Sequence, residues 1–331
     1  MSDLPWPPGT STGIGSLPGD DLGAALSRVL ELCPELPFLP ELPSRGPGAG
    51  MIGRGAALMA AMPVDLQPSG WRLVDRPGRD LHRARDLLAR DLDALHEVAG
   101  DYAGTLKVQA AGPWTIAASL ELNRGDKSLA DGGARRDVGA ALAQGLSEHV
   151  AEVGRRVPGA CILLQLDEPS LPAVLTGHVP TASGFDVLRA VEEHEAEAVL
   201  TTVIRAAGVE TLVHCCAPGA PVGMLQRAGA RAVSLDMAML STRDDDALGV
   251  AIEAGLGLLA GVVPSIDAPL SDPASTVSGV QLLWRRLGFA GDDLAAAVVL
   301  TPSCGLAGAS PGYAWAALAR CREAAREMAD A

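Results

Sequence analysis

The feature that most constrains this chain is its alternation of short apolar runs with helical patterns. The runs at 105–112, 161–169, 211–216, 231–237, 257–263 and 296–305 are rich in Val and Leu and show little polar alternation. Strands of that kind are covered on both faces, as in parallel sheets flanked by helices. Two weaker candidates come first: GIGSLPG (13–19) and PFLPEL (37–42). Prolines in the second cannot donate to a ladder. Helical stretches lie between, at 21–32, 80–99, 137–157, 184–207, 219–229, 244–255, 273–287 and 313–329. In 80–99, Leu81, Leu88, Leu92 and Leu95 form one apolar stripe. About eight strands, each followed by a helix, imply an α/β fold of the (β/α)8 type, a TIM barrel of roughly 250 residues or more. The expectation is a single domain over 1–331. A doubly wound open sheet is the rival, but GIGSLPG lacks the G-x-G-x-x-G spacing. The Gly- and Pro-rich segment 43–78 reads as a loop insertion after the second strand, with a short helix at 51–62. It is either a lid or a plain surface excursion.

Composition narrows the partners. The net charge is -14, and an acidic surface repels phosphate backbones and anionic lipid, so neither nucleic acid nor membrane is expected. Only Lys107 and Lys127 are lysines; arginine supplies the other positive side chains. The first residues lack the basic and apolar regions of a secretory signal, and no apolar run is long enough for a membrane span. Six cysteines are too few for a disulfide scaffold. A reducing cytoplasm with free thiols is the expectation.

Chemistry collects where the apolar runs stop. Ser16, Glu41, Asp167, Glu168, His214, Cys216, Asp236 and Cys304 all fall at the ends of strand candidates. In a barrel, those ends converge on one mouth. His214 and Cys216 are two apart, so an extended strand points them to the same side while Cys215 faces away. One imidazole, two thiolates and a carboxylate make a tetrahedral set suited to Zn2+. Taken alone, the pair is a weak signal and fits better the common fate of cysteine as a small buried hydrophobe. Vicinal Cys215 and Cys216 are poor candidates for a redox disulfide, because that geometry is strained.

The stretches TGIGSLPG, PELPSRGPGAGM, AGPWTI, LQLDEPSLP, VHCC, AVSLD and TPSCGL give the chain a resemblance. From about residue 10 to 310 it resembles the C-terminal catalytic barrel of the cobalamin-independent methionine synthase family, in a core-only form. The resemblance implies a zinc methyltransferase that forms methionine from homocysteine. It implies zinc ligands at His214, Cys216 and Cys304, with Asp236 where the family usually has glutamate, a reach shorter by one methylene. It further implies that Ile14 and Ser16 hold the amino acid's carboxylate. Glu41 and Asp167 would take its ammonium group, and Asp167 and Glu168 of the DEP motif are the catalytic candidates. The methyl donor would be methyltetrahydrofolate or a methylated corrinoid, and a homo-oligomer is compatible with the sequence.

Three stretches depart from the family pattern. PSIDAP replaces a histidine motif after GLLAGVV, AGAS follows CGL where a basic run is expected, and AASLEL alters the aromatic stretch after GP-TI. These changes weaken the case for a polyglutamylated folate and make a methylated corrinoid or another methyl carrier a serious option. The competing functions are alkyl transfer to another small thiol such as coenzyme M, a metal-free decarboxylase-like barrel using Arg45, Arg54 and Arg72, and a binding protein that has kept the fold.

Overall fold

A computed structural model describes residues 4–330. Two short strands, β1 (Val64–Gln67) and β2 (Gly70–Leu73), pair as an antiparallel hairpin. Six longer runs form one parallel sheet in sequence order: β3 (Gly104–Ala111), β4 (Ala160–Asp167), β5 (Glu210–Cys215), β6 (Ala232–Asp236), β7 (Gly257–Val263) and β8 (Val298–Pro302). These are the six apolar runs of the sequence. Helices connect them, and among the described residues no helix is long and apolar enough to cross a membrane.

The regular sheet therefore has six strands, not the eight expected. The candidates at 13–19 and 37–42 do not build ladders. They make single parallel bridges: Ser11 to Leu300 of β8, Ser16 to Glu41, and Phe38 to Lys107 of β3. The N–H of Thr12 donates to the Leu300 carbonyl (3.1 Å), that of Leu17 to Glu41 (2.9 Å) and that of Leu39 to Lys107 (3.0 Å). Pro37 and Pro40 remove donors from the second segment, and Gly13, Gly15 and Gly19 deny the first the stiffness of a strand. Two irregular extended segments thus carry hydrogen bonding between the sheet's edge strands.

Register decides what shares a face. Across β3 to β6 the partners include Gln109–Gln165, Gln165–Leu212, Asp167–His214, Leu212–Ala232 and His214–Ser234. Because side chains alternate along a strand, one face of the sheet carries three levels. The lowest is apolar: Leu163, Leu212, Ala232, Leu259 and Val299 cluster with Trp6 and Leu36. Gly257 leaves room for this plug, since a Cβ there would lie 2.8 Å from the Trp6 ring. The next level is polar, with Gln109 and Gln165 both buried. The top level holds Asp167, His214 and Ser234.

The 43–78 segment is partly structured. Its expected helix is α2, Met51–Leu58, which lies between α1 (Leu22–Leu32) and α3 (Arg79–Ala99), and the β1–β2 hairpin follows α2. Asp91 of α3 anchors the segment. Arg45 donates to both Asp91 oxygens (2.7 and 2.9 Å), and Arg54 of α2 donates to the second (2.5 Å). Asp91 is fully buried and Arg54 nearly so. Removing one member of such a network leaves a buried charge without its partner. Asp91→Ala is accordingly expected to lower the unfolding free energy by about 3 kcal/mol, read by urea denaturation. A loss below about 1 kcal/mol would show that the network does not anchor the segment.

Candidate metal centre and its cavity

His214 is the penultimate residue of β5 and stands between Asp167 of β4 and Ser234 of β6. Its Nδ1 meets the Ser234 hydroxyl at 3.0 Å. Its Nε2 is buried and has no hydrogen-bond partner. Cys216 follows on the same side, and Cys304 leaves β8 toward it, so that the two sulfurs lie 3.2 Å apart. The three ligand atoms all fall within 4.8 Å of one another. Donors at roughly 2.0–2.3 Å from one Zn2+ stand about 3.3–3.8 Å apart in a tetrahedron, so the set closes if its widest pair draws in and the two sulfurs move slightly apart. An orphaned imidazole nitrogen facing two thiols, with the other nitrogen held by a hydroxyl, is the donor chemistry of a ligating histidine with its supporting partner.

The two sulfurs are within hydrogen-bond distance of each other. Cys304 is pulled well below the usual thiol range, chiefly by its hydrogen bond with Cys216 and further by His214. The same hydrogen bond pushes Cys216 upward. The S–S contact itself is symmetric, and His214 beside Cys304 favours the thiolate on that side. Cys215 faces away, and burial pushes its thiol up to about 11. Gly305 lets the chain turn past Ser16, because a Cβ there would come 2.1 Å from the Ser16 hydroxyl oxygen.

A cavity of 260 Å³ opens beside the sulfurs and is lined by Ile14, Ser16, Glu41, Met51, Asp167, His214, Cys216 and Cys304, among others. This is below the roughly 300–1,000 Å³ of sites for drug-sized ligands, and suits a molecule the size of an amino acid. Glu41 and Asp167 are both buried at its edge. Burial pushes the Asp167 carboxyl up to about 7, with His214 opposing the rise and Glu41 adding to it. Glu41 accepts from Gln109 Nε2 at 3.3 Å and lies 3.2 Å from Arg54 Nε, an ion contact whose alignment falls short of a hydrogen bond.

Two expected site residues stand elsewhere. Glu168 is buried outside the cavity lining, where one oxygen accepts from Trp114 N (2.9 Å) and the other from Thr115 N and Oγ1 (both 2.8 Å). It caps the start of α4, Pro113–Ser119, and burial pushes its carboxyl up to about 7 against those hydrogen bonds. Asp236 accepts from Ala238 N at 2.9 Å and faces a separate cavity of 550 Å³. It is outside the compact group of three, though near enough that Cys304 raises, and His214 lowers, a carboxyl pushed up mainly by burial.

Sequence reasoning missed Ser234 and Lys107. Ser234 is a lone hydroxyl inside AVSLD, and its partnership with His214 needs the β5–β6 register. Lys107 interrupts the apolar run of β3, an oddity that was visible as one of only two lysines. It is fully buried. Arg45 and Arg54 are committed to Asp91, and Arg72 to Glu121, so the arginines required by a metal-free decarboxylase are already paired.

No family model matches the sequence, and no curated protein matches it. Among solved structures, a B12-independent methionine synthase from Shewanella sp. W3-18-1 in complex with selenomethionine is similar, with a TM-score of 0.52 at 14% identity over 73% of this chain and 67% of that one. The BexX/CysO complex of Amycolatopsis orientalis covers 97% of this chain and 94% of its own, but with a TM-score of 0.34 at 14% identity. The first likeness concerns the fold.

Protein prepared with Zn2+ and desalted is expected to retain one ion per chain. Cys304→Ser and Cys216→Ser are expected to lower that to below about 0.2 while Cys215→Ser leaves it intact, since only the first two offer thiolates to the cluster. Elemental analysis reads the ratio; equal retention by all three variants would remove the cluster as a metal centre.

Proposed function

We propose that this chain is a zinc-dependent methyltransferase that methylates the thiol of homocysteine to give methionine, on a (β/α)8-type frame whose first two strands are irregular segments. The observation that carries the reading is the buried, unpartnered Nε2 of His214 facing Cys216 and Cys304 at the wall of a cavity that also presents two carboxylates. The Shewanella structure supports it, as a methionine synthase bound to a methionine analogue on a similar fold.

In this reading His214, Cys216 and Cys304 hold the ion, and Ser234 fixes the imidazole so that Nε2 points at it. A bound Zn2+ supplies acidity, converting an incoming thiol, mostly protonated near neutral pH, to thiolate. Asp167 and Glu41 receive the substrate's ammonium group, and Ile14 and Ser16 its carboxylate. The substrate is thereby oriented with sulfur toward the cluster and one face open to the donor's methyl carbon. The donor carries an activated methyl group on folate nitrogen or corrinoid cobalt; the absence of a basic run after Cys304 favours the corrinoid.

A thiol without an ammonium group, such as coenzyme M, would leave the cavity-facing oxygens of two buried carboxylates without a cation, and burying such charge without a partner is costly. The test is direct. Zinc-loaded protein, homocysteine and either methylcobalamin or 5-methyltetrahydrofolate are expected to yield methionine, followed by mass spectrometry, with at least one donor and with neither after chelation. Asp167→Asn is expected to raise KM for homocysteine at least about tenfold, equal to about 1.4 kcal/mol. Equal turnover of coenzyme M and homocysteine would reverse the substrate assignment.

A further inference from the structure

Lys107 lies in mid-strand, fully buried, with its ammonium group on the face of the sheet that leads up to the cavity. Its Nζ donates to Gln165 Oε1 (2.8 Å) and to the Ile14 carbonyl (2.9 Å) and sits 5.3 Å from the centroid of the Phe38 ring. A longer contact reaches Gln109 Oε1 (3.5 Å), and among the described residues no carboxylate touches it. Burying an ammonium costs several kcal/mol unless its hydrogen bonds are met, and a methionine would fill the same space at no such cost. The contacts of Lys107 therefore do something that packing does not require.

Gln165 shows what. Its amide is asymmetric: the oxygen only accepts and the nitrogen only donates. With Lys107 donating to Oε1, the amide can present only its nitrogen upward. Nε2 then donates to Asp167 Oδ1 (2.7 Å) and to the Ile14 carbonyl (2.8 Å). One oxygen of Asp167 is thus tied down while the other remains for the cavity. Ile14 is held from below by two donors at once. Lys107 braces a residue at each end of the site assigned to the amino acid.

We propose that Lys107 is a positioning residue that, through the Gln165 amide and the Ile14 carbonyl, sets the pocket's preference for a thiol bearing an ammonium group. This rests on the amino-acid reading of the cavity. A purely electrostatic role gives the opposite sign, because deleting a cation near the pocket would strengthen ammonium binding. Positioning and charge are therefore separable by experiment.

The probes are homocysteine and 4-mercaptobutanoate, which shares its thiol and carboxylate and lacks the amine. Zinc-loaded wild type, Lys107→Met and Gln165→Leu are titrated with each by calorimetry. Gln165→Leu keeps the lysine charge and breaks the relay, so it reports even if Lys107→Met fails to fold. The expected result is a wild-type preference for homocysteine that falls at least about tenfold in each folded variant, with zinc content unchanged. An unchanged or increased preference in the variants overturns the role of Lys107 and leaves the proposed function standing. A wild type that holds zinc but binds both thiols equally overturns the amino-acid reading and this inference together.

Discussion

The site depends on parallel register. Because β4, β5 and β6 run the same way and pair without slippage, Asp167, His214 and Ser234 stand side by side at one level. A shift of one residue would turn His214 to the outer face and put Val213 in its place, since side chains alternate with a period of two. The apolar floor of Leu163, Leu212, Ala232, Leu259, Val299, Trp6 and Leu36 resists such a slip, because it would move every one of those side chains as well. Burial of the floor therefore places the chemistry at the top.

Between floor and site lies a layer that folding alone would not select. Lys107, Gln109 and Gln165 are buried polar groups, and each has its partners. Their carboxylate neighbours are met from two directions: Glu41 by Arg54 and Gln109, and Asp167 by Gln165 with Lys107 behind it. Asp91 in turn holds Arg54, so α3 and the inserted segment take part in setting one wall of the cavity. Satisfied networks of this kind rigidify a site; half-satisfied ones would destabilise it. Two cations set behind two carboxylates suit a zwitterion, whose own charges also cancel.

How much of this was legible in the sequence follows from where local pattern and tertiary pairing agree. The six sheet strands were readable because strands covered on both faces stay apolar at most positions. The first two were not, since Pro37, Pro40 and Gly15 leave only isolated bridges. The helix expected from 184 begins at Glu193, because residues 180 and 187 pair in a small bridge first. His214 and Cys216 were legible from strand parity, and Cys304 from its place at the end of the last run. The orientation of Glu168 and Asp236 was not, because each is fixed by a backbone N–H, from Trp114 and Thr115 or from Ala238, that no side-chain pattern announces. Ser234 and Lys107 are single polar residues in apolar runs, and only the register shows what they touch.

The claim that a histidine and two cysteines hold a zinc ion with a position open to a thiol is tested most directly by X-ray absorption at the zinc edge, before and after homocysteine is added. The account predicts two sulfur and at least one imidazole ligand at rest, with Zn–S distances of about 2.3 Å, and a third sulfur once the substrate is bound. A resting shell without sulfur, or one that homocysteine leaves unchanged at saturation, would contradict it.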